Sequence, residues 1–490
     1  DKPNASTFIA STLTMLSQRA LDRRTKQNIA LDSKDVPIHT AYYSSIKSAT
    51  GITVLAKSKW LNAIHVQGTQ VNINNLKTTF SFVDKIEFAN KSLNAKQRTI
   101  VRNNSTNRIQ KFGNAQTSFN YGNAANQIEM IKGDFLHQQG YTGEGMHIAI
   151  IDAGFPNVNT LTAFKRLRDN NKILGGYDFV NKSTNFYTGH NHGTNVLSTI
   201  AGYLDGQFIG TAPDASFYLF RTEDAANEVP LEESLWVEAA ERSDSLGVDV
   251  INTSLGYTTF DNASYNYTYA DMDGKTTFIS RGAEIGVSRG MILVTSAGNE
   301  GNDPWKYISS PADATSVFTV GAVNATKIIA PFSSFGPTPD NRVKPDVLAQ
   351  GQSVYIIHSV NGTAVTSNGT SFSSPLMAGV IACLWQALPG KSNAEIIQYI
   401  KESSSVYTMP NYELGYGIPN LELARLLSIN ELELNEGISI YPNPSTDNIK
   451  VSLPKSMGYA SVVVFNVLGK KVITQEVSLT DNIIKISHLN

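Results

Sequence analysis

Short apolar runs alternate with helical patterns through the middle of the chain, from about residue 127 to residue 427. Ile148 to Ile151 are apolar at every position and Val248 to Ile251 at all but Asp249, which is typical of strands that are buried on both faces. The same pattern recurs at residues 217–220, 292–295 and 318–320. Strands that alternate with helices predict an α/β fold with a doubly wound, mostly parallel sheet. In that architecture, reactive groups lie beyond the carboxyl ends of the strands.

The first 96 residues follow a different pattern, which predicts a small α+β unit. Helical stretches near 16–24 and 42–49 accompany strand candidates at 52–55, 60–66 and 80–86. Residues 97–121 are polar and rich in asparagine without apolar periodicity, as in an exposed linker. A linker of this kind is also a natural site for proteolysis.

The alternation of strands and helices stops after residue 428. We interpret residues 429–437 as a second linker and 122–428 as one domain. The motif I-Y-P-N-P, at 440–444, opens a series of short strand patterns at 449–453, 461–465 and 471–477. These patterns predict a small all-β module over 438–490. Because the chain stops directly after another strand pattern, we expect the module to be truncated.

Composition excludes several classes of function. The 40 basic and 42 acidic residues give a net charge of -2, so there is no electrostatic case for binding nucleic acid. No apolar run approaches the roughly 20 residues that span a bilayer, and the first residues are not a signal peptide. The single cysteine, Cys383, excludes an internal disulfide and a cysteine zinc site. Its helical spacing with apolar neighbours predicts a small core residue.

Three residues in glycine-marked turns are candidates for chemistry. Asp152 follows the apolar run 147–151 and precedes Ala153 and a glycine. His192 lies in H-N-H-G-T-N-V, at the start of an apolar helical pattern. Ser371 lies in G-T-S-F-S-S-P, where a glycine turn leads into a long apolar helix. The positive end of a helix dipole stabilises an oxyanion that forms beside such a serine.

Each candidate alone has a simpler interpretation. A serine at a helix start is usually an N-cap, and an aspartate after a strand usually belongs to a turn. His192 is equally suited to cap a helix. Its neighbour His190 raises the question of a metal site, but neither a third ligand nor H-E-x-x-H spacing accompanies the pair. Together, however, Asp152, His192 and Ser371 supply an orienting carboxylate, a base and a nucleophile.

These motifs resemble those of the subtilases over about residues 127–427. D-A-G resembles the family's D-[ST]-G, H-G-T-N-V resembles H-G-T-x-V, and G-T-S-F-S-S-P resembles G-T-S-x-[SA]-x-P. The order Asp, His, Ser is also that of subtilisin. The resemblance implies a serine endopeptidase that hydrolyses polypeptides through an acyl-enzyme on Ser371.

The same resemblance implies further site residues. In V-T-S-A-G-N-E-G, Asn299 takes the family's oxyanion-hole position, together with the backbone N–H of Ser371. In V-I-N-T-S-L-G-Y, residues Ser254, Leu255 and Gly256 resemble the edge segment that pairs with an extended substrate. Taken alone, Asn299 is better explained as a turn residue, and the segment as a plain strand end. Tyr257, which follows, either narrows a subsite or packs in the interior.

Residues 1–96 look like the prodomain of secreted subtilases, an intramolecular chaperone and inhibitor, and self-cleavage in the linker would release it. An ordinary accessory domain is the alternative. The module at 438–490 resembles a sorting domain of the type IX secretion system, which implies a secreted or cell-surface protein whose partner is the secretion machinery. No cofactor is expected. Calcium sites are common in the family, but no acidic loop here is distinctive enough to assign one.

One position departs from the family pattern. Ala153 follows the catalytic aspartate where the family usually carries a hydroxyl, so Asp152 is expected to lack one hydrogen-bond donor and the pH dependence of activity to shift. Two rival functions remain. An α/β-hydrolase esterase needs G-x-S-x-G and a nucleophile that precedes the acid and the base, which this chain lacks. The other rival is a non-catalytic, protease-like protein for adhesion or binding.

Overall fold

A computed structural model describes residues 2–94, 119–435, 439–443, 445–453, 458–466 and 471–487. These form two compact units, residues 1–422 and 423–490. The predicted linker at 97–121 lies outside the described residues except for its last three positions. Among the described residues, no helix combines the length and apolarity needed to cross a membrane.

The amino-terminal region is a hairpin with helices around it. Its elements are α1 (Ala5–Ala10), α2 (Gln18–Lys26), α3 (Thr40–Lys47), β1 (Ile52–Ser58), β2 (Ala63–Gly68) and α4 (Gln70–Thr79), with 3-10 helices at Thr12–Thr14 and Lys91–Leu93. Strands β1 and β2 pair antiparallel. Ile46, Ile52 and Leu76 form a small core between the hairpin and the helices. The predicted α+β character is therefore confirmed.

One strand prediction in this region has a displaced start and another is wrong. The strand expected at 60–66 begins only at Ala63, because residues 59–62 form the hairpin turn. Residues 80–86 form no strand, and Phe82 instead stacks on Tyr42 with ring centroids 4.2 Å apart. Helix α4 was missed because its sequence, rich in asparagine, has little apolar periodicity. The Thr69 side chain caps it by accepting a hydrogen bond from the Asn72 N–H.

The second region is built on a seven-stranded sheet in the order β11-β10-β9-β8-β3-β7-β4, in which every pair of neighbours is parallel. Its strands are β3 (His147–Asp152), β4 (Ile173–Asp178), β7 (Ser216–Arg221), β8 (Val250–Thr253), β9 (Ile292–Ser296), β10 (Phe318–Val323) and β11 (Val347–Gln350). Two hairpins are separate: β5 (Tyr203–Leu204) with β6 (Phe208–Ile209), and β12 (Val354–Ile357) with β13 (Ala364–Ser367). All five apolar runs noted in the sequence lie in or directly before strands of this sheet, which confirms the doubly wound fold.

Helices cover both faces of the sheet. They are α5 (Ala125–Glu129), α6 (Gly133–Gln138), α7 (Lys165–Asp169), α8 (His192–Ala201), α9 (Leu231–Leu246), α10 (Phe278–Ser288), α11 (Thr370–Ala387) and α12 (Asn393–Glu402), with 3-10 helices at Thr162–Phe164, Ala263–Tyr265 and Tyr269–Asp271. Helices α9 and α10 pack on the face that carries Ala149, Ile251 and Leu293, whereas α8 and α11 pack together on the other. Cys383 on α11 is fully buried, so its predicted core role is confirmed.

The last unit begins within helix α13 (Leu421–Asn435). The linker predicted at 429–437 is thus helical as far as Asn435, because its leucines and glutamates are good helix formers. Strands β14 (Ser439–Tyr441), β15 (Asn448–Ser452) and β18 (Ile483–Lys485) form one sheet, and β16 (Tyr459–Phe465) and β17 (Lys471–Ser478) form another. Val451, Val477 and Ile484 are buried together, as expected of an all-β module.

Candidate active site

Asp152 ends the central strand β3 and its side chain is fully buried. One carboxylate oxygen, Oδ1, accepts hydrogen bonds from His192 Nδ1 at 2.7 Å and from the Ala153 N–H at 2.8 Å. The other oxygen, Oδ2, is buried and has no hydrogen-bond partner among the described residues. Asp152 therefore lacks one hydrogen-bond donor, as the alanine at position 153 predicts.

His192 begins helix α8, and its first turn lies directly against the strand end that carries Asp152. The close approach depends on Gly193. A Cβ atom at that position would lie 2.5 Å from the Gly154 carbonyl oxygen and 3.0 Å from the Asp152 Cβ. Only glycine fits such a contact without a shift of the backbone. The glycine of H-G-T thus has a physical role, which is to let the helix start reach the carboxylate.

The pKa of His192 reflects two opposed effects. Burial disfavours the imidazolium, but the charge of Asp152 and the hydrogen bond to it favour that form, and together they raise the pKa above its ordinary value. Because Nδ1 bonds Asp152, Nε2 is the nitrogen left to exchange a proton with a substrate or a nucleophile. The imidazole is therefore oriented as a general base requires.

Ser371 is the second residue of α11, and its side chain is almost buried. The preceding Gly369 has φ 143°, in a region that favours glycine, and it turns the chain into the helix. The backbone N–H groups of this first turn have no partners within the helix, and the helix dipole is positive there. The ring centroid of the next residue, Phe372, lies 6.1 Å from that of His192, so the start of α11 lies beside the imidazole.

A network of polar side chains holds the helix start against the end of β8. Pro375 has no N–H to donate to the carbonyl of Ser371 four residues earlier, and Ser254 Oγ donates to that carbonyl instead, at 2.9 Å. Asn252 and Ser374 complete the network through contacts of 3.0 to 3.3 Å. Sequence reasoning missed both residues, although each lies inside a motif that was quoted.

The hydroxyl of Ser371 donates to the Ser254 carbonyl at 3.4 Å, a long hydrogen bond. Such a bond leaves the hydroxyl nearly free to rotate about its Cα–Cβ bond. Catalytic hydrogen bonds are often long before a substrate is bound and tighten only in the complex. The position therefore suits a nucleophile that is engaged by the incoming carbonyl.

Asn299 follows strand β9 and is exposed. Its Oδ1 accepts hydrogen bonds from the Thr370 backbone N–H at 2.8 Å and from the Thr370 hydroxyl at 3.1 Å. A backbone N–H can only donate, so these bonds identify the oxygen of the amide and leave Nδ2 facing away from Thr370. The amide can thus donate to an oxyanion near Ser371. Thr370, which orients it, is a third residue that sequence reasoning missed.

The segment Ser254, Leu255 and Gly256 follows β8 and precedes an isolated bridge between Tyr257 and Ser310. In the described part of the chain, the backbone of Leu255 and Gly256 makes no hydrogen bond to other backbone groups. These groups are available to pair with an extended peptide. Tyr257 does not line an open subsite: it is 1% exposed and donates to Glu223 at 2.6 Å, which shows that it packs.

His190, which raised the question of a metal site, is exposed and accepts from the His192 backbone N–H at 3.3 Å. It therefore sits at the start of α8. No group of three or more His, Cys, Asp or Glu side chains able to hold a metal ion occurs within the residues that the structure describes. That no cofactor is required stays a prediction.

Three family models match successive parts of the chain. The model of the subtilase family matches residues 143–417. A peptidase S8 propeptide domain of Bacteroidota matches 1–107, and a secretion system C-terminal sorting domain matches 439–490.

Curated relatives and a solved structure agree with these matches. The chain is 32% identical over 304 residues to subtilisin NAT of Bacillus subtilis subsp. natto, an alignment that covers 61% of this chain and 70% of the relative. Subtilisin E of Bacillus subtilis (strain 168) gives the same identity and coverage. The structure of the MycP3 protease from the type VII (ESX-3) secretion system matches with a TM-score of 0.51 at 18% identity, over 64% of this chain and 91% of that one. At that identity the structural match shows the fold alone.

Proposed function

Because the chain belongs to the subtilase family, we propose that it cleaves peptide bonds through an acyl-enzyme on Ser371, with His192 and Asp152 completing a catalytic triad. The protein is a serine-type endopeptidase with a type IX sorting domain, and is secreted or held at the cell surface. The observation that carries the triad is the 2.7 Å hydrogen bond between Asp152 and His192, beside the helix start that bears Ser371.

In the first half of the reaction, Ser371 Oγ attacks the carbonyl carbon of the substrate while His192 Nε2 takes the hydroxyl proton. The negative charge of Asp152 stabilises the imidazolium that forms. His192 then gives that proton to the leaving amine as the C–N bond breaks, which leaves an ester on Ser371. In the second half, His192 takes a proton from water, the resulting hydroxide attacks the ester, and the proton returns to Ser371.

Both halves pass through a tetrahedral oxyanion. We assign its stabilisation to Nδ2 of Asn299 and the backbone N–H of Ser371, with Thr370 orienting the amide. The substrate is expected to extend along Ser254, Leu255 and Gly256, where unpaired backbone groups support strand addition.

The flanking regions supply regulation and export. The propeptide match supports residues 1–96 as an intramolecular chaperone and inhibitor, with a cut in 97–121 that separates it from the catalytic domain at 122–428. The sorting domain, residues 438–490, makes the secretion machinery a partner. These boundaries are part of the proposal.

A fluorophosphonate probe tests the mechanism, because it labels only a serine that is activated. We expect the processed enzyme to be labelled at Ser371 and the His192→Ala variant to lose the label. His190→Asn, two residues away, is the matched control and should be labelled like the parent. If the processed parent stays unlabelled, the alternative of a non-catalytic binding protein is favoured. If Ser371→Ala is labelled as strongly as the parent, the nucleophile is another serine.

A further inference from the structure

Besides the ion pairs of Lys91 with Asp271 and of Glu87 with Arg281, the prodomain contacts the catalytic domain in two larger areas. In one, the hairpin β1–β2 packs on α9, where Glu241 accepts from the Ser58 hydroxyl at 2.6 Å and the Trp60 N–H at 2.9 Å. In the other, residues 17–35, which we call the arm, lie against the amino ends of the central strands. The arm has no counterpart in the function proposed above.

The arm contacts backbone groups that directly precede three strands of the sheet. Arg19 donates to the carbonyls of Gly145 and Gly247 at 2.9 Å, and these residues lie just before β3 and β8. Gln27 donates to the Gly290 carbonyl, just before β9, at 2.7 Å. The triad and Asn299 lie beyond the opposite ends of these strands. Six residues of extended strand separate the two ends, about 20 Å.

The charges of the arm and of the catalytic domain are complementary and buried. Asp244 of α9 is fully buried and receives hydrogen bonds from both Arg23 and Arg24. Arg289 of the catalytic domain is paired in turn with Asp32, at 3.0 Å, and with Asp35, at 3.5 Å. Each domain thus supplies both signs of charge. Removal of the arm would expose Asp244 and Arg289 without partners, so the contact is specific for a basic helix followed by an acidic turn.

We propose that the arm is an anchor that binds the catalytic domain independently of the active site and keeps the prodomain bound after the linker is cut. The catalytic domain accordingly carries a binding site for a basic helix at the amino ends of β3, β8 and β9. This rests on the proposed function only in that the enzyme itself makes the first cut.

The test measures retention of the prodomain in a chain that lacks the proposed nucleophile, so that catalysis does not affect the result. In a full-length Ser371→Ala chain, a recognition sequence for a site-specific protease is placed in residues 97–121 and cut, and size-exclusion chromatography measures how much prodomain stays bound. We expect stable retention in the parent. Arg23→Ala with Arg24→Ala should release the prodomain at least 100-fold faster, and 1 M NaCl should accelerate release. Lys26→Ala, exposed on the same helix, is the matched control and should behave like the parent.

Gln27→Ala covers the case in which the double variant does not fold. It removes uncharged contacts to the Gly290 carbonyl and the Asn393 N–H, and is expected to speed release about tenfold. In a chain with Ser371 intact, labelling by the fluorophosphonate probe after the cut should leave retention unchanged. Loss of the prodomain from the cut parent, release by active-site labelling, or equal retention in folded arm variants would overturn the anchor. If only the labelling fails, the result counts against the proposed function. The retention measurement in the Ser371→Ala chain then still tests the anchor.

Discussion

The two ends of the central sheet are built in opposite ways. At the carboxyl ends, Asp152 keeps a buried oxygen without a partner among the described residues, and Asn299 is exposed with its Nδ2 facing away from Thr370. At the amino ends, Asp244 is fully buried and accepts from Arg23 and Arg24. Both ends use a buried aspartate, but the Asp152 carboxylate keeps one oxygen without a partner among the described residues, whereas both oxygens of Asp244 accept hydrogen bonds from arginine.

The difference separates chemistry from attachment. Groups that act on an incoming molecule need unused donors and acceptors, since stabilisation of a transition state depends on interactions absent from the resting enzyme. Groups that hold a segment already present can be saturated, because nothing further has to bind there. Mutations at the carboxyl ends should therefore change activity, whereas mutations at the amino ends should change the stability of the uncut chain.

The largest effect is expected at Ser371. Ser371→Ala removes the nucleophile, and we expect kcat to fall about a millionfold, the magnitude known for subtilisin, a member of the same family, and carried over from it. Steady-state hydrolysis of a peptide substrate measures the loss. The uncut chain should keep its melting temperature, because the Ser254 hydroxyl donates to the backbone of Ser371 and not to its side chain. Undiminished hydrolysis would remove Ser371 from the mechanism.

The next effect tests the oxyanion donor. Asn299→Asp keeps an acceptor for the Thr370 N–H but removes the N–H donor, so a purely structural role would tolerate it. We expect kcat to fall about 100- to 1000-fold with little change in KM, a magnitude also taken from the corresponding asparagine of subtilisin. Thr370→Ser retains the hydroxyl and serves as the control. An unchanged kcat in Asn299→Asp would show that the amide donates nothing to the transition state.

Asp244→Asn and Asp152→Asn compare two fully buried aspartates directly. Asn at 244 leaves two buried arginines without a full counter-charge, and we expect the free energy of unfolding of the uncut chain to fall by about 3 kcal/mol or more. At 152 the same change should cost less than about 1 kcal/mol while abolishing activity. Denaturant titration of both variants in a Ser371→Ala background measures this. Equal losses would contradict the contrast between the two ends.

The smallest effect concerns pH. Activity needs neutral His192, whose pKa is raised, so kcat/KM should rise with pH through a midpoint above the ordinary histidine value of 6.5. Ala153→Ser would give Asp152 Oδ2 a donor, which draws charge from the carboxylate and weakens its hold on the imidazolium. The midpoint should move down by less than about one pH unit. Ala153→Cys, of similar size but a weak donor, is the control, and an unmoved midpoint in Ala153→Ser contradicts the idea.

Local patterns predicted much of the catalytic domain. The five apolar runs became strands or strand starts. Helix α9 runs from Leu231 to Leu246 between Pro230 and Gly247, which are residues that favour the start and the end of a helix. Prediction failed where tertiary contacts outweigh local preference. Phe82 stacks on Tyr42 instead of joining a strand, and α4 depends on the cap from Thr69. Thr370 was quoted within a motif, but its contact with Asn299 joins residues 71 positions apart.

The sequence by itself determined the fold class, the family and the identity of the candidate triad, because each rests on a local signal: apolar periodicity, a glycine turn or a short motif. Only the tertiary structure decided which groups meet. The hydrogen bond between Asp152 and His192, at 2.7 Å, joins segments that are distant in the chain, and so do the hydrogen bonds of Arg23 and Arg24 to Asp244. Only the structure shows that Asp152 Oδ2 is buried without a partner among the described residues. Hydrogen bonds and ion pairs depend on distance and direction in space, which spacing along a chain does not encode.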